Sequence, residues 1–442
     1  MISLAIPLFA ALFTTVAAQE PSPREVDGLT AVPIDIHSVD AQVVFDLENN
    51  KAMASADMVF EMTGDGGMPV FDLRQEINSI TLDGETIAVE ECAPHDFGRL
   101  SGTMRILERE LKPGKTYTLH FDYQLRQPSS PKSNPIGWGD GKLEWDFFFS
   151  DLNQGRYMEM WFPANLLYDM SKFDLDVEIK GAEEEHLLVT NGVTTEEGPF
   201  HWKISFPDHF TAFSHMLVIL PTKDVKTGSG TFKLNGETKE IRVTVRNDAG
   251  AKVKTVLKQV ESDMKEFNKA MGAWQHTGPI EIVVWPGSRS MEYDGATTTA
   301  MGALRHELFH SWFGRGAKPQ SQNDGWWDEA WTVYFSDGGR TPASRTKNEG
   351  KPFELSSDDP WNRTTPSTSY RAGSFFFSRV AGVIGEKELF KHMASFYEKH
   401  ALKTVSTAEL ERHLVDESGN EDIHQLFHRY VYGKEGKYGA EE

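Results

Sequence analysis

Two histidines four residues apart enclose a glutamate in His306-Glu307-Leu308-Phe309-His310. On a helix, that spacing puts both imidazoles on one face with their Cβ atoms roughly 5–6 Å apart, so they can grip one zinc ion. Glu307, one step round the helix, then stands beside the metal's open position. A catalytic zinc of this kind takes a third protein ligand, often a carboxylate, and leaves the fourth position to water. Asp328 and Glu329 are the downstream candidates. Neighbours on a helix point about 100° apart, so only one of the two can face the metal.

The surrounding residues carry a resemblance. The second histidine runs on into Ser311-Trp312-Phe313-Gly314, and 18 residues separate His310 from Glu329 in Trp326-Trp327-Asp328-Glu329-Ala330. This pattern resembles the gluzincin metallopeptidases of the aminopeptidase-N and leukotriene-hydrolase family. The resemblance implies His306, His310 and Glu329 as the ligands of one Zn2+ per chain, with Glu307 outside the ligand set as general base. It also implies that Tyr370, in Tyr370-Arg371-Ala372-Gly373, matches the family's catalytic tyrosine. Met291-Glu292 matches part of a motif whose glutamate holds the substrate's free amine, although the leading glycine and final asparagine are replaced by Arg289 and Tyr293. The stretch from Asp151 to Pro163 resembles a loop that reaches the substrate site, with Gln154 where the family has a glutamine or glutamate. Glu159 stands there in place of an arginine.

The chemistry expected of such a set is peptide hydrolysis. A zinc lowers the pKa of its water towards ~7, Glu307 moves the proton from water to the leaving amine, and a tyrosine hydroxyl stabilises the developing oxyanion. An exported aminopeptidase acting on peptides is the expected function. A zinc endopeptidase or other hydrolase on the same site, and an inactive peptide-binding relative, are the alternatives.

The elements that must position these residues follow from the rest of the chain. At 442 residues, with 39% hydrophobic and 25% charged residues, the sequence is long enough for two or three globular domains. Its net charge of −21 argues against nucleic acid and anionic membrane surfaces as partners. Residues 1–18 are apolar and end in Val16-Ala17-Ala18, the pattern of a signal peptide, so the mature protein is expected in the periplasm or outside the cell with no membrane attachment. Oligomeric state is not legible. The one cysteine, Cys92, sits in a polar turn far from the motif and forms no internal disulfide.

Alternation over 42–47, 54–60 and 117–123, with turns at Asp83-Gly84 and Asn235-Gly236, predicts strands. A three-to-four apolar spacing predicts a helix over 249–271. Together these give an α+β multidomain protein: an antiparallel β-rich region over 19–247, then a mainly α catalytic region over 248–442. By resemblance these are a saddle-shaped domain and a thermolysin-like one. A long loop is expected from Gly338 to Ser369, with a glycosylation sequon at Asn362. His424 and His428 repeat the four-residue spacing, but with Gln425 where a base would stand, and read as residues of an amphipathic helix.

Overall fold

The computed structural model describes residues 20–127, 135–139, 141–336, 338, 352–357 and 359–439. The signal-peptide segment and part of the 338–369 loop lie outside them. No helix among the described residues is long and apolar enough to cross a membrane.

The amino-terminal half is built of sheets. Strands Ile34–Asp46 and Lys51–Met62 alternate buried and exposed side chains, as a sheet with one wet face requires. They pair antiparallel, and Thr116–Leu125 pairs with the second of them, inside an eight-stranded sheet. Its hairpin at Asp83-Gly84 puts both turn residues at positive φ, 50° and 81°, the geometry that favours Asp-Gly there. The expected antiparallel character holds except at two places. Lys172–Lys180 runs parallel to Ile34–Asp46, and Leu29–Val32 runs parallel to Met68–Phe71. Cys92 is buried in this region, and burial pushes its thiol up to about 12, which leaves it inert at neutral pH.

A five-stranded sheet follows, in the order Val225–Leu234, Glu237–Arg246, Ile280–Val284, Ala296–Thr299, Met291–Tyr293. The sheet runs across the boundary expected at 247/248. Glu237–Arg246 pairs in parallel with Ile280–Val284. Helix α1, Val253–Met271, makes the crossover that a parallel pair needs. Phe232, Ile241, Val243 and Val245 share one core with Val256, Val260 and Phe267 of α1, so the hairpin packs with that helix. Beyond it come α2 (Leu304–Phe309), α3 (Trp326–Phe335) and helices at Ser374–Ile384, Glu386–His400, Thr407–Ser418 and Asp422–Tyr430.

Candidate metal centre

Helix α2 carries His306 and Glu307, and His310 caps its carboxyl end. Helix α3 carries Glu329 and is held by its tryptophans. Trp326, Trp327 and Trp331 are all fully buried, and the indole N–H of Trp326 donates to Thr407 Oγ1 at 3.0 Å. Trp326 packs edge-on against Phe376 and Phe427, and Trp327 edge-on against Phe396. A side chain clamped on several sides cannot drift, so the carboxylate one turn along is fixed in space.

This rigid pair of helices brings together the residues that the spacing picked out. One ligand atom each from His306, His310 and Glu329 lies within 4.8 Å of the others. Glu329 Oε2 is 3.3 Å from His306 Nε2 and 3.7 Å from His310 Nε2. His310 Nε2 is buried and has no hydrogen-bond partner, a costly arrangement unless that nitrogen serves a metal. Two imidazoles and a carboxylate form the nitrogen–oxygen set that zinc accepts, so the residues present fit that ion.

Asp328 is not the third ligand; it faces the other side of His310. Its Oδ1 hydrogen-bonds His310 Nδ1, which fixes the ring and leaves Nε2 turned to the centre. Gly314 makes this approach possible. It lies at φ 106°, and a Cβ there would overlap the Asp328 carboxylate. The Trp-Phe-Gly that follows the second histidine is therefore a packing requirement of the His310–Asp328 pair. Burial would disfavour a charged His310, but Asp328 and Glu292 outweigh it and hold the imidazole's pKa up at about 10.

Glu307 is buried, and burial together with the nearby Glu292 and Glu329 carboxylates pushes it well above the usual carboxylate range. Tyr370 lies in a single π-helical turn, Ser369–Gly373, a feature that recurs at functional sites. Its hydroxyl donates to Glu329 Oε1 at 2.5 Å, and its ring stacks towards His306. Gly373 brings this turn against α3, since a Cβ there would overlap Ala330.

Two expected substrate residues fare differently. Glu292 lies on the strand Met291–Tyr293 beside the site and forms a buried ion pair with Arg315 at 2.8 Å. Burial alone would raise this carboxyl, but Arg315 outweighs it and holds it at about 2. Gln154 is not brought to the centre; its amide donates to the Arg99 carbonyl at 2.5 Å, out on the β-rich side. Asp151, three residues earlier in the same loop, is the residue that arrives. Its carboxylate lies within 4.8 Å of Glu292 and Glu329 ligand atoms and accepts from the Tyr157 hydroxyl at 2.6 Å. Burial and the neighbouring Glu292 push Asp151 well above its usual range.

Arg315 went unread in the sequence. Fully buried, it spans Glu292, Asp151 at 3.6 Å and Asp328 at 3.9 Å, and it lies over the Phe213 ring. Its signal was only its place, one residue after Trp-Phe-Gly. The decoy pair behaves as expected: His424 Nδ1 bonds Glu411 at 2.7 Å, and His428 Nε2 faces the Glu435 carbonyl.

No family model matches the chain. A curated relative, aminopeptidase N of Streptomyces lividans, is 24% identical over 185 residues, which is 35% of this chain and 21% of the relative. The chain thus spans about a fifth of that protein's length. The M1 zinc metallopeptidase of Deinococcus radiodurans superposes with a TM-score of 0.67 at 15% identity, covering 92% of this chain and 96% of its own. A variant of the Deinococcus protein has been solved with a Tyr-Ser-Ala substrate. Legionella pneumophila aminopeptidase A, solved with aspartic acid, gives 0.70 at 12% identity over 94% of this chain and 51% of that one. The chain therefore has the fold of the M1 zinc metallopeptidases, and the resemblance to the gluzincins of the aminopeptidase-N family is borne out.

Proposed function

We propose that the protein is an exported zinc aminopeptidase that removes amino-terminal residues from peptides. The observation that carries the reading is the convergence of His306, His310 and Glu329 with Glu307, Tyr370 and a second carboxylate pair, Asp151 and Glu292, in one buried centre. Export rests on the residue pattern of 1–18 alone.

His306, His310 and Glu329 would hold a zinc ion, which would supply Lewis acidity at the scissile bond. Glu307, raised by burial, is suited to take a proton from the attacking water and pass it to the leaving amine. The Tyr370 hydroxyl, now donating to Glu329, is placed to donate instead to the oxyanion on the substrate carbonyl. Asp151 and Glu292 together receive the free α-ammonium, with Arg315 balancing part of their charge from the protein side. The Glu292–Arg315 pair also favours a second reading. A glutamate already answered by a guanidinium binds an amine less strongly, and an endopeptidase would need no amine site.

Chain-end dependence separates the two. Hydrolysis of free-amino aminoacyl amides is expected, with acetyl-blocked counterparts left intact. Cleavage of blocked peptides at comparable rates would remove the amine role from Glu292 and Asp151.

A further inference from the structure

Arg363 belongs to the loop between α3 and the Tyr370 turn, yet its side chain is buried in the β-rich region. Nη1 meets Asp72 at 2.7 Å and Nη2 meets Glu159 at 2.5 Å, with all three side chains at most 6% exposed. A planar guanidinium fork holds two separated carboxylates in a fixed geometry, whereas an ammonium is a point charge on a flexible stem. Glu159, the acidic residue where the resembling segment has arginine, is thereby accounted for. The backbone is tied to the same region, since the Arg363 N–H donates to the Leu100 carbonyl at 2.9 Å.

Two residues on, the loop is fixed to both sides of the centre. The Thr365 N–H donates to the Asp151 carbonyl at 3.2 Å, and the Thr365 hydroxyl donates to the Gln322 carbonyl, four residues before α3. The Gln322 amide donates to that same Asp151 carbonyl at 3.2 Å. Pro366 then accepts from the Ser369 N–H at 2.9 Å, directly before Tyr370. From Arg363 to Tyr370 the chain is short and pinned along its length.

We propose that Arg363 is a positioning residue: its fork between Asp72 and Glu159 sets the Tyr370 hydroxyl and the Asp151 backbone relative to the two helices that carry the metal ligands. The inference rests on the aminopeptidase reading for its kinetic consequence, but not for its structural one.

Arg363→Lys keeps the charge and loses the fork. It is expected to lower kcat on a free-amino aminoacyl amide about ten- to hundredfold, the scale of a small misplacement of a reacting group. Zinc content should be unchanged, and amide hydrogen exchange over 366–373 should accelerate. In a Tyr370→Phe background the same substitution should cost at most about twofold in kcat, because the hydroxyl it positions is already gone, and what is left through Asp151 should fall on KM. Should Arg363→Lys fail to fold, Glu159→Gln is expected to give the same pattern more weakly. A lowered Tm with kcat within twofold of wild type would overturn the proposal, as would a loss of equal size in both backgrounds or unchanged exchange over 366–373. If the wild type cleaves no free-amino substrate, the aminopeptidase reading fails, and the exchange result alone decides for or against the positioning role.

Discussion

Two histidine pairs in this chain share one spacing and have opposite surroundings. His306 and His310 face Glu329, and one of their four ring nitrogens, His310 Nε2, is buried without a hydrogen-bond partner. His424 and His428 sit on a helix whose apolar side, with Ile423 and Phe427, is packed in the core, and their rings stack on and against the half-exposed Tyr438. The spacing places two imidazoles together. Only the second helix, with its clamped carboxylates, brings a third ligand atom to one of the pairs.

The comparison breaks most sharply at Glu307. Glu307→Gln keeps the shape and ligands but removes the proton carrier, and should lower kcat by about 10²–10⁴-fold with zinc retained. A variant with near-normal turnover would show that the base lies elsewhere. Tyr370→Phe comes next, with an expected loss of about 10²–10³-fold in kcat and little change in KM, as for removal of an oxyanion donor.

Asp328 sharpens the contrast through the metal itself. Asp328→Asn is expected to weaken zinc binding about 10–100-fold, measured by competition with a chelator. Because Asp328 and Glu292 hold His310 protonated, zinc binding at pH 7.5 should release a proton from it, read by calorimetry in buffers of different ionisation enthalpy. The same raised pKa contributes stability to the metal-free protein that is complete below about pH 6.5, the free imidazole value, and fades as pH rises through about 10. Asp328→Asn should flatten that decline. The smallest effect belongs to the other pair: His424→Ala should leave kcat within about twofold and cost roughly 1 kcal/mol of stability for its hydrogen bond to Glu411.

What could be read beforehand divides along physical lines. His306, Glu307, His310, Glu329 and Tyr370 sit within short, rigid stretches whose residue types state their chemistry, and they converge as read. Asp328 was a rival ligand in the sequence; its turn towards His310 depends on the bare backbone at Gly314, a close approach that spacing does not encode. Gln154 lies away from the centre while Asp151 reaches it, because a loop's path is set by its contacts, here those of Asp151 with Thr365 and Gln322. Arg315 carried no pattern of its own, and only the fold buries it among carboxylates. The hairpin over 225–246 looked like more of the β-rich region, and only its parallel pairing with Ile280–Val284 joins it to the sheet beside α1. Asn362, a sequon by pattern, is buried and hydrogen-bonded to Asn323 and Ser357, so no glycan fits there.

The most direct test is metal content, determined by mass spectrometry on purified wild type, His310→Ala and His424→Ala after dialysis against a weak chelator. One zinc per chain in the wild type and in His424→Ala, with none in His310→Ala, is the expected result. Equal zinc in all three, or none in the wild type, would contradict the assignment of the centre to His306, His310 and Glu329.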